Sequence, residues 1–184
     1  MLEFQKTKIE GVFLVAPKVF GDKRGFFLES YSQKEFLVAG IDVKFVQDNH
    51  SFSAEKGVLR GLHFQRPPFS QAKLVRVVKG KVLDVVLDLR KNSPTFGQWE
   101  GFELSEDNFL SVFVPRGMAH GFCVLEENTH FLYKTDNYYS AESDGGILWN
   151  DQDLKITWPI EKPILSEKDQ KQPTWQEFLK NNPF

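Results

Sequence analysis

A single cysteine, Cys123, stands among 184 residues, so no intramolecular disulfide forms and a covalently stapled fold is excluded. Its neighbours Phe122 and Val124 predict a buried thiol, and nothing around it marks an activated nucleophile. No apolar run approaches the ~20 residues of a membrane-spanning helix. The opening stretch, Met1 to Lys6, lacks the hydrophobic core of a secretory signal, so a soluble cytoplasmic protein with no membrane partner is expected. Neither sign of charge is in excess. The 23 Lys plus Arg face 25 Asp plus Glu, which argues against nucleic acid or an anionic membrane as partner and leaves room for a small anionic ligand. Repeats, low-complexity tracts and linker-like composition are missing as well. One domain over residues 1–184 is expected; a chain of that size buries roughly two-thirds of its unfolded surface.

Aromatic residues are abundant: 18 Phe, 4 Trp and 4 Tyr, which favour sheets and supply flat surfaces for stacking. Short runs of Val, Phe, Leu and Ile recur between turn residues, from Val12 to Ala16, Gly25 to Tyr31, Lys73 to Val78, Val82 to Leu89, Phe109 to Val114, Gly121 to Leu125 and Thr129 to Thr135. That spacing predicts an all-β sandwich or barrel. Gly21-Asp22 and Gly80-Lys81 read as hairpin turns, and Ser93-Pro94-Thr95 as a break. Ser32 with Glu35, and Thr174 with Glu177, have the spacing of capping boxes and predict two short peripheral helices, the first stopped by Gly40. The Pro-rich segment from Trp158 is expected to wrap the barrel.

Polar residues then break the apolar pattern in a few places. Alternation puts His63 and Gln65 on one strand face, with Leu62 and Phe64 on the other. A lone histidine is more often a hydrogen-bonded core residue, but Lys73 and His120 change the balance. Arg60, three residues before His63, belongs on the opposite face unless Gly61 hosts a bulge that turns both inward. Tyr133 shares a face with Phe131 and Thr135; its phenol is a proton donor for an enolate if it lines a cavity, and a core residue otherwise. Tyr138-Tyr139 falls in a loop, where a ring is free to stack on a base. A neutral histidine, a fixed cation and a tyrosine together suit proton abstraction beside a carbonyl, with return of a proton from the opposite side.

The blocks Gly57-Val-Leu-Arg60-Gly-Leu-His63-Phe-Gln65, Lys73 to Gly80 and Pro115-Arg-Gly117-Met-Ala-His120 resemble the two metal-binding motifs of cupins. The resemblance implies a jelly-roll β-barrel. Gln65 stands where the second histidine of His-x-His belongs, and Lys73 where the acidic ligand belongs, and an ammonium has no lone pair for a divalent ion. No metal and no other cofactor is therefore expected.

Read further, almost the whole chain resembles the dTDP-4-dehydrorhamnose 3,5-epimerases of nucleotide-sugar biosynthesis. The likeness runs through Lys18 to Ser30, Phe45 to Ser51, Val58 to Gln65, Lys73 to Arg76, Asp84 to Arg90, Ser93 to Gly97, Pro115 to Phe122, Leu132 to Lys134, Trp149 to Asp153, Ile156 to Pro159 and Leu165 to Asp169. It implies a homodimeric cupin that inverts C3 and C5 of dTDP-4-dehydro-6-deoxy-D-glucose without a cofactor, giving dTDP-4-dehydro-L-rhamnose for cell-surface polysaccharide. On this resemblance His63 is the base, Asp169 its partner, Tyr133 the acid and Lys73 the cation. Substrate contacts carry over to Arg24, Phe26, Glu29, Gln47, Asp48, Asn49, Arg60, Lys73, His120, Tyr139 and Lys168, with the Arg24 and Phe26 region reaching the neighbouring subunit. Asp144 lies in a stretch that matches the family less well and stays outside that set. The competing readings are a single-carbon epimerase of another deoxysugar pathway, a metal-dependent cupin, and a non-catalytic nucleotide-sugar-binding barrel.

Overall fold

The computed structural model describes residues 1–184. Its strands are β1 (Leu2–Lys6), β2 (Phe13–Pro17), β3 (Val19–Asp22), β4 (Gly25–Leu28), β5 (Gln47–Ser53), β6 (Leu59–Gln65), β7 (Lys73–Lys79), β8 (Lys81–Asp88), β9 (Trp99–Ser105), β10 (Ser111–Val114), β11 (Met118–Val124), β12 (Thr129–Thr135) and β13 (Asp144–Gly146). Three short helices accompany them: α1 (Gln33–Val38), α2 (Glu167–Gln170) and α3 (Trp175–Lys180). A six-stranded sheet runs β1-β2-β10-β7-β12-β5, a five-stranded sheet runs β13-β6-β11-β8-β9, and β3 pairs only with β4. All of these pairings are antiparallel. Two facing sheets with strands that cross between them form the expected cupin-type jelly roll.

The space between the sheets is filled by alternating side chains. Val75, Val77, Val112 and Phe131 from the larger sheet meet Val82, Val86, Phe102, Leu104 and Phe122 from the smaller. Both outer faces are also apolar and need cover. Leu62, Phe64, Val85 and Leu87 pack under Trp175 and Phe178 of α3, and Val15, Leu74 and Phe113 pack under Phe36 of α1. This second cover explains why β11 is buried at every position, and Cys123 within it. The C-terminal segment wraps the smaller sheet as its composition predicts, and no helix is long and apolar enough to cross a membrane.

Several local readings change. Gly80 is not a hairpin turn. It sits where the chain leaves β7 in one sheet for β8 in the other, and its φ of +78° suits a residue without a side chain. The β3–β4 hairpin turns at Lys23-Arg24 rather than Gly21-Asp22. Thr174 and Glu177 form the capping box, but Ser32 makes no side-chain cap bond, and the Glu35 carboxylate accepts from the Leu2 amide. β1, β3, β5, β9 and β13 were not evident from the apolar pattern: β5 is Gln-Asp-Asn-His-Ser-Phe-Ser, a polar edge strand held by its pairing to β12.

One irregularity positions the interior. His120 faces His63 and Phe122 faces Arg60, so Gly121 alone opposes the pair Gly61 and Leu62. Gly61 thus hosts the bulge that the sequence left open, and it brings Arg60 round to the face of His63. The backbones touch there: a β-carbon on Gly61 (φ +122°) would lie 2.7 Å from Gly121 Cα and 2.9 Å from the His120 carbonyl oxygen. Gly61→Ala and Gly121→Ala should each therefore lower stability by about 2 kcal/mol or more, measured as the urea unfolding midpoint.

Candidate active site

The bulge opens onto a cavity of about 290 Å³ between the two sheets. Arg60 and His63 reach it from β6, Lys73 from β7, His120 and Phe122 from β11, Phe131 and Tyr133 from β12, Ser51 from β5, and Ser166, Lys168 and Asp169 from the segment around α2. Phe122 and Phe131 stack at 4.0 Å and form an apolar floor. The polar groups stand on low-dielectric walls, where charge is expensive and its interactions are strong.

His63 Nε2 lies 2.5 Å from Asp169 Oδ1, and the Ser166 hydroxyl donates to the other carboxylate oxygen at 2.8 Å. Ser166 also caps α2 by accepting from the Asp169 amide, which fixes the carboxylate relative to its own backbone. Burial acts to raise the Asp169 pKa. The hydrogen bonds from His63 and Ser166 and the charges of His63 and Lys168 outweigh it, so the carboxyl stays below its ordinary value. An ionised Asp169 holds the Nε2 proton of His63 and leaves Nδ1 with the lone pair.

His120 repeats this arrangement. Its Nε2 lies 2.7 Å from Asp84 Oδ2, in a fully buried carboxylate whose other oxygen has no partner. Asp84, on β8, was not singled out as a site residue: it is one of two acids in a mostly apolar strand, and the register Phe122↔Asp84 puts it behind His120. Burial pushes the Lys73 ammonium down to about 8, against the charges of Asp84 and Asp144, which act to raise it. Its Nζ sits 6.0 Å from the Tyr133 ring centroid. Burial raises the Tyr133 phenol, opposed by Arg60, so it keeps its proton at neutral pH. An imidazole oriented by a carboxylate, a buried lysine and a protonated phenol thus share one wall-enclosed space.

The other expected residues divide. Gln47 and Asn49 lie on the face of β5 that also carries Ser51, and Gln47 Nε2 donates to Asn49 Oδ1 at 2.9 Å. Asp48 does not join them. Alternation sends it to the outer face, where it is ion-paired to Lys134 at 2.8 Å. Tyr139 stands exposed on the loop after β12, its hydroxyl donating to Asp144 at 3.2 Å. Lys168 pairs with the same carboxylate. Asp144, left out of the sequence-based set, therefore links two expected contact residues. Arg24, Phe26 and Glu29 are not at this cavity. They lie on or just after the β3–β4 hairpin, which pairs with no other strand; Arg24 is bound to its own Asp22, and Phe20, Phe26 and Phe27 are exposed.

With this geometry in place, the comparisons with known proteins point one way. The profile of the family described as dTDP-4-dehydrorhamnose 3,5-epimerase matches residues 6–177. A protein of that name from Shigella flexneri is 56% identical over 165 residues, 89% of this chain and 91% of its own. The crystal structure of the Bacillus anthracis 3,5-epimerase with TDP and PPi bound superposes with a TM-score of 0.93 at 50% identity, covering 95% of this chain and 99% of its own. The Legionella pneumophila dTDP-6-deoxy-D-glucose-3,5-epimerase in complex with dTDP-4-keto-L-rhamnose gives 0.90 at 45% identity, covering 95% and 93%.

The cavity electrostatics carry a direct test. Lys73 should titrate near 8 in a ¹⁵N-detected NMR experiment. Asp84→Asn removes a charge that favours the ammonium, so the midpoint should fall further; a rise would contradict the assignment.

Proposed function

The chain belongs to the family of dTDP-4-dehydrorhamnose 3,5-epimerases, and we propose that His63, Tyr133 and Lys73 divide its chemistry as base, acid and fixed cation. It is an isomerase that inverts C3 and C5 of dTDP-4-dehydro-6-deoxy-D-glucose, giving dTDP-4-dehydro-L-rhamnose. Both carbons flank the C4 ketone, whose carbonyl acidifies their hydrogens. His63, held by Asp169 in one tautomer, removes the proton. Lys73 and His120 face the ketone oxygen as negative charge develops there, in a site where water does not compete. Tyr133 returns a proton from the opposite side of the ring, so removal and return together invert the carbon. The observation that carries this reading is the His63–Asp169 contact at 2.5 Å, opening onto the cavity that also holds Lys73 and Tyr133.

At the nucleotide end, Arg60 and Lys168 supply cations for the diphosphate, and Tyr139 supplies the ring that stacks on thymine. Gln47 and Asn49 extend the polar lining. The β3–β4 hairpin supports a homodimer: a ribbon that joins neither sheet, with exposed Phe20 and Phe27 on one face and exposed Phe26 on the other, is suited to a second copy, whose cavity would receive Arg24, Phe26 and Glu29. The unpaired Cys123 accords with a cytoplasmic setting.

Isotope exchange in deuterium oxide distinguishes the roles. His63→Ala should abolish deuterium uptake at both C3 and C5, and exchange retained at either carbon would remove His63 as its base. Tyr133→Phe should slow inversion by about 10²–10⁴-fold while leaving deuterium uptake with retained configuration, read by NMR of the sugar. Sedimentation should find a dimer, and charge reversal at Arg24 should lower activity without unfolding the protein.

A further inference from the structure

Gln65 ends β6 two residues beyond His63 and is buried, yet its side chain is engaged away from the catalytic groups. Its Nε2 donates to the Phe69 carbonyl at 2.7 Å and to the Tyr138 carbonyl at 3.1 Å, while its Oε1 accepts from the Ser140 amide at 2.7 Å. One side-chain amide thus grips the residues on both sides of Tyr139 and ties them to the loop after Pro68. Two N–H donors and a carbonyl acceptor on so short a stem are available only from an amide: histidine offers a single donor in its neutral form, and glutamate none. The Tyr139 amide donates to Gln47 Oε1 at 3.4 Å and its hydroxyl to Asp144, so the residue is tied at its backbone and at the tip of its ring.

We propose that Gln65 is a positioning residue for the nucleotide: it fixes the Tyr139 loop and thereby sets the affinity for the thymidine moiety, leaving the proton transfers at the sugar to other groups. This inference rests on the nucleotide-sugar reading above. A platform held in its bound conformation before the ligand arrives avoids the ordering cost of a loop that must be fixed on binding.

The test is titration with dTDP together with steady-state kinetics. Gln65→Met keeps length and volume and removes the hydrogen bonds. It should raise the Kd for dTDP and the KM for the dTDP-sugar about tenfold, the loss expected of one or two uncompensated bonds, with kcat within about twofold of the parent. Tyr139→Leu should produce a similar loss, and the double variant should be no weaker than the worse single one, because both act through one platform. The Ser140 amide should exchange with solvent faster in Gln65→Met than in the parent. If that variant does not fold, Gln65→Glu, which keeps the acceptor for Ser140 and loses both donors, is put through the same measurements. An unchanged Kd, losses that add in the double variant, or a fall in kcat with KM unchanged would each overturn the proposal. A parent protein that binds no dTDP would overturn the nucleotide reading itself, so the two failures are separable.

Discussion

The close approach of β6 and β11 at Gly61 and Gly121 is the constraint on which the rest of the site depends. Two antiparallel strands can touch backbone to backbone only where neither carries a side chain, and here that contact coincides with an extra residue in β6. The extra residue breaks strict alternation. Without it, Arg60 would point to the outer apolar layer with Leu62 and Phe64, beneath Phe178, where an unpaired guanidinium is costly to bury. With it, Arg60 and His63 enter one cavity, and His120 comes level with His63 across the strand pair.

Three of the cationic or titrating groups around that cavity have a carboxylate behind them. Asp169 stands behind His63, Asp84 behind His120, and Asp144 behind Lys168. Such pairs do little for net stability, since the desolvation of two charges offsets most of their attraction. Their consequence is directional: each fixes a nitrogen, and in the two histidines the other ring nitrogen is left for a ligand. Lys73 differs. It receives only the longer-range influence of Asp84 and Asp144, so burial dominates and its ammonium is held weakly. A weakly held cation on an apolar wall responds strongly when negative charge appears beside it, as it does when a ketone becomes an enolate.

Much of this was legible from the order of residues, and the reasons are physical. Alternation placed His63 opposite Leu62 and Phe64, the apolar runs of β7, β8 and β12 marked strands, and Gly61 left room for a bulge without requiring one, because these depend on near neighbours in the chain. Asp48 shows where neighbouring residues mislead: its block resembles a binding run, but adjacent strand residues face opposite ways and it points outward. β5 and Asp84 show the other limit. A polar edge strand and an acid inside a mostly apolar strand carry no periodic signal, and both acquire their places only from the register with β12 and β11.

The sequence by itself determined the β architecture, the family and the chemical types brought to the site: a histidine, a lysine and a tyrosine, with glutamine where a metal-binding cupin has histidine. Tertiary structure alone decided how they are used. It gave Gln65 to the Tyr139 loop, placed Asp84 behind His120, linked Lys168 to Tyr139 through Asp144, and set the β3–β4 hairpin apart from its own cavity. Most of these are contacts between residues tens of positions apart, whose distances are fixed by sheet register and by which groups must be satisfied once water is gone; no local pattern encodes either.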